Sequence, residues 1–211
     1  MQRARFITIE GGEGTGKTTQ MTRLANRLSS VVGEVVTTRE PGGSQGAEQI
    51  RNLLVNGPPE RWSAETETLL MYAARRDHME RLINPALRHN AWVLCDRFHD
   101  STRAYQGAAG GAPASLIDAL EHTVLEGLRP DLTLILDLPV DIGLARAHDR
   151  NDGEERFETK GHEFHERLRQ AFLLIARKDP ERCAVIDAEG PPDLIEARIW
   201  TAVKERLGLS D

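Results

Sequence analysis

The chain has 211 residues, and 33 acidic residues outnumber 27 lysines and arginines, which gives a formal charge of −6 at neutral pH. Hydrophobic residues make up 39% and charged residues 28%, which excludes disordered, collagen-like and disulfide-stapled chains. The length fits a single domain over residues 1–211, and the acidic balance argues against nucleic acid or a membrane surface as partner but allows a local basic pocket.

Short apolar runs alternate with longer stretches of helical periodicity. The runs are almost continuously apolar, as expected for strands buried on both faces, and the alternation predicts a parallel sheet covered by helices on both sides. Ligands of such sheets bind beyond the carboxyl ends of the strands. The predicted strands are residues 5–10, 34–38, 92–96, 132–138 and 184–187. The predicted helices are residues 17–30, 46–55, 64–88, 113–127, 140–150, 160–178 and 193–207.

The apolar runs are too short for targeting or membrane segments. The run near the N-terminus covers only residues 6–9, and no stretch approaches the ~18 apolar residues of a membrane helix. Cys95 and Cys183 each lie in a run predicted as a buried strand, which favours reduced core thiols over a disulfide. We therefore expect a cytoplasmic protein.

Residues 11–18, G-G-E-G-T-G-K-T, match the phosphate-binding pattern G-x-x-x-x-G-K-[ST] between a predicted strand and a predicted helix. The glycines let backbone N–H groups turn toward phosphate oxygens, and the positive end of the next helix adds to this field. Lys17 is expected to reach the β- and γ-phosphates, and Thr18 to ligate Mg²⁺. The candidate ATP-binding residues are Gly11, Gly12, Glu13, Gly14, Thr15, Gly16, Lys17, Thr18 and Thr19.

The loop motif indicates a nucleoside triphosphate but not the group that accepts the phosphate. A GTPase would normally need an N-K-x-D segment to bind guanine, and the sequence has none. A kinase or another ATP-using protein is therefore favoured.

Several arginines stand where predicted strands end. Arg39 follows the second strand, Arg97 follows the third, and Arg75 lies in the long helical stretch between them. Because a guanidinium group matches phosphate oxygens in two-point contact, arginines that converge on one crevice suggest a second phosphate-bearing substrate beside ATP. Asp96 closes the third strand, where a carboxylate either helps to hold Mg²⁺ or serves as a helix N-cap or a partner of Arg97.

Three further motifs follow the loop in order: R-E-P-G-G at 39–43, L-C-D-R-F-H-D-S-T-R-A-Y-Q at 94–106, and P-D-L-T at 130–133. Together with the loop they resemble the thymidylate kinase family over almost the whole chain. The resemblance implies an α/β, three-layer P-loop NTPase fold with a five-stranded parallel sheet flanked by helices, and a mobile lid at 149–160. It also implies a homodimer that transfers the γ-phosphoryl group of ATP in line to dTMP with Mg²⁺. The alternatives are another nucleotide or deoxynucleoside kinase on the same scaffold, or a non-enzymatic ATP-binding module.

The resemblance also implies roles for the matched residues. Arg97 would hold the dTMP phosphate with Arg39 nearby, and Glu13 would approach the 3′-hydroxyl. Tyr105 would pack near the deoxyribose and disfavour a 2′-hydroxyl. The implied dTMP-binding residues are Glu13, Arg39, Tyr72, Arg75, Arg97, Ser101, Tyr105 and Gln106, of which Ser101 and Gln106 would line the thymine site. The implied catalytic residues are Lys17, Asp96, Arg97, Arg150 and Arg156, and the implied Mg²⁺ ligands are Thr18 and Asp96.

Two of these assignments leave alternatives open. The family commonly has a phenylalanine four residues before an arginine, where this chain offers either Met71 with Arg75 or Tyr72 with Arg76. Tyr72 is the only aromatic residue there and is the candidate to stack on the base, with core packing as its alternative role.

The source of the transition-state cation is the second open point. Some family members carry a catalytic arginine inside the phosphate-binding loop, where this chain has Gly14. The resemblance then implies that a lid arginine replaces it. Arg150 and Arg156 are the candidates in the polar segment 149–158.

Overall fold

The computed structural model describes residues 3–58, 60–148 and 160–209. Within these ranges the strands are β1 (Phe6–Gly11), β2 (Val35–Arg39), β3 (Trp92–Asp96), β4 (Leu132–Asp137) and β5 (Cys183–Asp187). They form one parallel sheet in the order β2-β3-β1-β4-β5. The strand that leads into the phosphate-binding loop is therefore at the centre, and the carboxyl ends of β2 and β3 lie on one side of it.

Helices connect the strands and cover both faces of the sheet. They are α1 (Lys17–Val32), α2 (Gln45–Val55), α3 (Ala64–His78), α4 (Asn84–Arg88), α5 (His99–Thr102), α6 (Ala114–Leu125), α7 (Val140–His148), α8 (His162–Lys178) and α9 (Pro192–Leu207). Two π-helical segments, Met79–Ile83 and Arg103–Ala109, follow α3 and α5. None of the helices in the described part of the chain combines the length and apolar character needed to cross a bilayer.

The apolar strand residues divide between the two faces with the period of two that a strand imposes. Ile7 and Ile9 of β1 pack in one cluster with Leu24 of α1 and Val203 of α9, whereas Phe6 packs in a different cluster with the π-helical segment after α3. Burial of each such side chain contributes roughly 1.5–3 kcal/mol. The predicted three-layer α/β fold with a five-stranded parallel sheet is confirmed.

The predicted helix 64–88 is interrupted. Pro85 has no N–H to donate to the carbonyl of Arg81, so the regular ladder cannot pass through it. The chain widens into the π-helical segment Met79–Ile83, and the N–H of Asn84 donates to the carbonyl of Met79 instead. The chain is thus helical over the whole predicted stretch 64–88, but not as one regular α-helix.

The helical segment after β3 was not predicted. α5 and the π-helical segment Arg103–Ala109 carry buried polar residues, among them His99, Asp100 and Thr102. Because polar and apolar residues are mixed on the buried side, the sequence shows no helical hydrophobic period there.

A buried ion pair joins α5 to the start of β5. Arg182 donates from Nη1 to Oδ2 of Asp100 at 2.6 Å and from Nη2 to Oδ1 at 3.1 Å, and Nη1 also donates to Oγ1 of Thr133 at 2.6 Å. Burial acts to raise the pKa of Asp100, but the neighbouring His99 and Arg182 outweigh it and hold that pKa below its ordinary value. The pair fixes the segment that follows Arg97 onto the sheet.

Both cysteines, but only one end of the predicted lid, lie in the described part of the chain. Cys95 and Cys183 are buried free thiols, in agreement with the prediction, and burial raises the pKa of Cys183 to about 12. The predicted lid at 149–160 lies outside the described residues except for Lys160, and Arg150 and Arg156 lie outside them too.

Candidate active site

The phosphate-binding loop leaves the centre of the sheet between β1 and α1. Gly14 and Gly16 have φ values of 67° and 89°, which side-chain-bearing residues rarely adopt. α1 begins at Lys17, so the unpaired N–H groups of its first turn point back toward the loop. The loop therefore has the backbone geometry of a phosphate cradle.

The loop also packs directly against α7, the helix that follows β4. A Cβ atom on Gly14 would lie 1.8 Å from the carbonyl oxygen of Gly143, and one on Gly143 would lie 2.6 Å from the carbonyl oxygen of Glu13. Both distances are far inside van der Waals contact. Glycine is therefore required on each side of this contact.

Lys17 lies inside the loop with 8% of its surface exposed. Its Nζ donates to the carbonyl oxygens of Gly11 at 3.2 Å and Gly12 at 2.8 Å. Burial, and then the charge of Arg97, lower the pKa of Lys17 to about 8. Since an opposite charge favours the protonated amine, the site favours an anionic ligand beside Lys17.

Arg97 points at the loop from the end of β3. Its φ of 67° lies in the left-handed region that non-glycine residues seldom occupy, and such outliers concentrate at functional sites. Its Nη1 donates to the carbonyl oxygen of Gly11 at 2.9 Å, and its Nη2 to Oε1 of Glu13 at 3.1 Å. The Tyr105 hydroxyl donates to the same Oε1 at 2.6 Å. Burial acts to raise the pKa of Glu13, but Arg97 and Lys17 lower it to about 2, so Glu13 is ionised at neutral pH.

Glu10, near the end of β1, holds the turn that carries Arg97. Its carboxylate accepts hydrogen bonds from the N–H of Phe98 at 2.7 Å and from the hydroxyl of Ser101 at 2.5 Å. Burial and then the nearby Asp100 raise the pKa of Glu10. These two bonds tie the backbone on the far side of Arg97 to the central strand and so fix the direction of the guanidinium group.

A second arginine is held in a buried network. Arg75 is 2% exposed, and it donates from Nε to Oε2 of Glu40 at 2.7 Å and from Nη2 to Oγ1 of Thr102 at 3.1 Å. The other oxygen of Glu40 lies 3.0 Å from Nδ1 of His78, whose Nε2 lies 2.7 Å from Oγ1 of Thr38. Arg75 Nη1 is buried and has no hydrogen-bond partner within the described ranges. The network thus supplies a fixed cation with an unused donor.

The R-E-P-G-G motif contributes a cation at the rim of the cleft as well as the buried Glu40. Arg39 is about half exposed, and its Nη2 donates to both carboxylate oxygens of Glu48 at 3.1 Å. Glu48 also accepts the N–H of Gly43 at 2.9 Å, which ties the motif to α2. Arg39 is therefore held near the cleft while its guanidinium group stays accessible.

Gln106 lines the cleft from the π-helical segment after α5. Its Nε2 donates to Oε2 of Glu67 on α3 at 3.2 Å, and the two residues are only 1% and 4% exposed. Ser101 and Met71 line the same cleft. This wall thus presents both polar and apolar groups, as pockets for small organic ligands do.

The predicted stacking role of Tyr72 is corrected by its position. Tyr72 is 1% exposed and packs in a hydrophobic cluster with Ala112 and Ile117, under the guanidinium group of Arg75 at 4.7 Å from the ring centroid. Adjacent residues of a helix point about 100° apart, so only one of Met71 and Tyr72 can face the cleft. Met71 faces it together with Arg75, and Tyr72 takes the alternative role in the core.

Most of the predicted site residues meet in this one cleft. The loop and α1 contribute Glu13, Gly14, Thr15, Gly16, Lys17 and Thr18 to its lining. The other elements contribute Arg39, Arg75, Asp96, Arg97, Ser101, Tyr105 and Gln106. The carbonyl groups of Gly11 and Gly12 accept hydrogen bonds from Lys17. Gly12 also lines a smaller pocket behind the loop. Thr19 is exposed on the first turn of α1 and does not line the cleft.

Two oxygen groups at the cleft suit Mg²⁺. Asp96 Oδ1 is buried and lacks a hydrogen-bond partner in the described part of the chain, and Thr18 is exposed at the start of α1. Mg²⁺ in nucleotide sites takes few protein ligands and completes its shell with phosphate oxygens and water. Accordingly, residues 3–58, 60–148 and 160–209 contain no group of three or more His, Cys, Asp or Glu that could form a metal cage. The residues present fit a nucleotide-borne Mg²⁺.

Three carboxylates that organise the cleft were not predicted. Glu40 lies inside the R-E-P-G-G motif, and Glu10 closes an apolar strand run as Asp96 does, so both had a signal in the sequence. Glu67 is one of several acidic residues early in α3, and only the fold places it against Gln106.

A triphosphate cradle and arginines suited to a second phosphate share one cleft, which is the arrangement of P-loop nucleotide kinases. The family model described as thymidylate kinase matches residues 9–199. The chain belongs to the thymidylate kinase family.

Sequence and structure comparisons with individual proteins support this family membership. The chain is 62% identical over 209 residues to the thymidylate kinase of Caulobacter vibrioides, covering 99% of this chain and 100% of the relative. It is 51% identical over 207 residues to the thymidylate kinase of Bradyrhizobium diazoefficiens, covering 97% of this chain and 91% of the relative. The crystal structure of thymidylate kinase from Ehrlichia chaffeensis superposes with a TM-score of 0.78 at 36% identity, covering 95% of this chain and 98% of that one.

Proposed function

We propose that this protein phosphorylates dTMP to dTDP with ATP as the phosphoryl donor. The observation that carries the proposal is the contact between Arg97 and the phosphate-binding loop, where Nη1 lies 2.9 Å from the carbonyl oxygen of Gly11. An acceptor phosphate bound by Arg97 would lie next to a γ-phosphate bound by the loop. Reacting groups held at such short range supply much of the acceleration of a phosphoryl transfer.

The residues of the cleft divide the work between donor and acceptor. The loop N–H groups and Lys17 bind the donor phosphates, while Arg97 and Arg39 neutralise the acceptor phosphate. Because two polyanions must approach for an in-line transfer, charge neutralisation is the main task of the site. No general base is needed, since the acceptor phosphate oxygen is already anionic at neutral pH.

The remaining walls select the nucleoside. Ionised Glu13 can accept a hydrogen bond from the 3′-hydroxyl, and the Tyr105 ring packs beside it near the deoxyribose. Ser101, Gln106 and the unused donor of Arg75 offer polar groups to the base edge.

Mg²⁺ is part of this proposal. Asp96 and Thr18 would hold the ion, directly or through its water shell. When bound, Mg²⁺ neutralises charge on the β- and γ-phosphate oxygens. The orphaned Oδ1 of Asp96 supports this role over that of a helix cap.

An assay that couples ADP release to a panel of nucleoside monophosphates tests the proposal. We expect dTMP to give the largest kcat/KM in the presence of ATP and Mg²⁺. Strong turnover of dCMP or AMP with none of dTMP would instead assign another nucleotide kinase activity. ATP binding without ADP release for any monophosphate would indicate a non-enzymatic module.

Alanine at position 97 is expected to raise the KM for dTMP about 10- to 100-fold, which corresponds to the ~1.5–3 kcal/mol of a charged hydrogen bond. The KM for ATP should change little, because Lys17 and the loop N–H groups remain. Steady-state kinetics with each substrate varied in turn measures both values. Arg81→Ala is the matched control, since that side chain is 74% exposed on the π-helical segment after α3. Equal losses for ATP and dTMP would contradict the assignment of Arg97 to the acceptor.

Other properties implied by the family resemblance stay predictions. They are a single kinase domain over residues 1–211, a lid at 149–160 with Arg150 or Arg156 as the transition-state cation, a homodimer and a cytoplasmic location.

A further inference from the structure

The hydrogen bond between Glu67 and Gln106 joins α3 to the wall of the cleft. Gln106 is the cleft-lining partner, and Glu67 stands behind it, almost fully buried. Nε2 of Gln106 lies 3.2 Å from Oε2 of Glu67. The contact spans 39 residues of sequence, so it is a product of the fold rather than of local structure.

This hydrogen bond determines whether the NH₂ group or the carbonyl oxygen of the Gln106 amide faces Glu67. A carboxylate offers only acceptors, whereas a glutamine amide has a donating arm and an accepting arm. The NH₂ group of Gln106 must therefore face Glu67, and the carbonyl oxygen occupies the opposite arm of the planar group. Without a carboxylate at this place, the amide could rotate by half a turn at little cost.

We propose that Glu67 is a positioning residue for base selection: it holds Gln106 so that the amide oxygen, rather than the NH₂ group, meets the base. The inference rests on the proposed function, in which Gln106 lines the base site. Thymine and uracil carry an N3–H group, and the amide oxygen of Gln106 can accept a hydrogen bond from it. Cytosine presents a lone pair at N3, which would face the amide oxygen and repel it.

The selectivity follows from the cost of a mismatch at a buried polar site. A site built to accept a hydrogen bond disfavours a ligand that lacks the donor, because two buried acceptors are then left facing each other. Glu67 makes this mismatch unavoidable, since the alternative orientation of Gln106 would set its carbonyl oxygen against the carboxylate. Base selection thus needs two residues: Gln106 contacts the base, and Glu67 fixes the orientation of the Gln106 amide.

Glu67→Gln tests the proposal with little change in shape. A glutamine at position 67 can donate or accept, so it permits both orientations of the Gln106 amide. We expect the ratio of kcat/KM for dTMP to that for dCMP to fall at least about tenfold. The ratio for dTMP to dUMP should not change, because both bases carry N3–H. The KM for ATP should stay close to wild type, because Glu67 is not among the residues that line the cleft.

Glu65→Gln is the matched control, since Glu65 is an exposed acidic residue in the same helical turn. It should leave both the dTMP to dCMP ratio and the dTMP to dUMP ratio unchanged. A second control repeats Glu67→Gln in a Gln106→Ala background, where the substitution should no longer alter the dTMP to dCMP ratio.

Three results would overturn the inference. One is an unchanged dTMP to dCMP ratio in Glu67→Gln, even with lower stability, which would leave Glu67 a purely structural role. Another is an equal change of that ratio with and without Gln106. A third is a fall in the dTMP to dUMP ratio as large as the fall in the dTMP to dCMP ratio. Failure of the proposed function itself would be seen separately, as a wild-type enzyme that does not prefer dTMP.

Discussion

Alanine at position 17 should reduce kcat on the order of 10³-fold while the protein stays folded. The ammonium group of Lys17 lies inside the phosphate-binding loop. There its positive charge neutralises the negative charge of the bound donor phosphates. Burial lowers the pKa of Lys17, which means that the protonated amine lowers the free energy of unfolding. Its removal should therefore not destabilise the protein. Steady-state kinetics measures the loss of activity, and urea unfolding measures the stability.

The pH dependence gives the same prediction a second readout. The pKa of Lys17 is lowered to about 8, so the protonated amine is lost as the pH rises through that value. In the wild type, kcat/KM for ATP should therefore decline above about pH 8, and Lys17→Ala should lack this decline. Lys178→Ala, an exposed lysine at the end of α8, is the control. A Lys17→Ala variant with near wild-type kcat would contradict the role given to the loop amine.

Arg182→Ala is expected to lower the free energy of unfolding by about 3–5 kcal/mol. The substitution leaves the carboxylate of Asp100 buried, 1% exposed, without the cation that binds both its oxygens. Thr133 loses the same partner. Urea denaturation at neutral pH measures the loss. Arg177→Ala, at an exposed position near the end of α8, should change stability little.

The effect of Arg182→Ala should depend on pH in a definite direction. In the wild type the pKa of Asp100 is lowered, so its stabilising contribution is present above the ordinary value near 3.8 and is lost as the pH falls through the lower folded value. In the variant the lowering of that pKa by Arg182 is lost while the lowering by His99 remains, so the pKa of Asp100 should lie above its wild-type value, and protonation at lower pH then relieves the buried charge. The stability difference between the two proteins should shrink from pH 7 toward pH 4. A constant difference across this range, or one below about 1 kcal/mol, would contradict the role of the pair.

The fold could be predicted from sequence because its main signals are local. Apolar runs that end in polar residues define the strands, and the loop motif places a phosphate cradle between the first strand and the first helix. The interruption at Pro85 also had a local cause, the missing N–H, which a reading of hydrophobic period alone overlooked. The helical segment at 99–109 had no such signal, because its buried side includes Asp100 and other polar residues whose partners lie far away in sequence.

The candidate site could be predicted only in part for a related reason. Motif positions such as Lys17 and Arg97 meet in the cleft as expected. The choice between Met71 and Tyr72 depended on the rotation of α3, which is set by packing against α2 and α6 and cannot be read from spacing. Glu67 was overlooked because its importance comes from a contact across 39 residues.

The close approach of Gly14 to Gly143 limits how this enzyme could be re-engineered or diverge. A loop with arginine at position 14 cannot adopt this backbone arrangement, because its Cβ atom would occupy the place of the Gly143 carbonyl oxygen. Grafting an arginine-bearing loop onto this scaffold would therefore require transplanting the helix after the fourth strand as well.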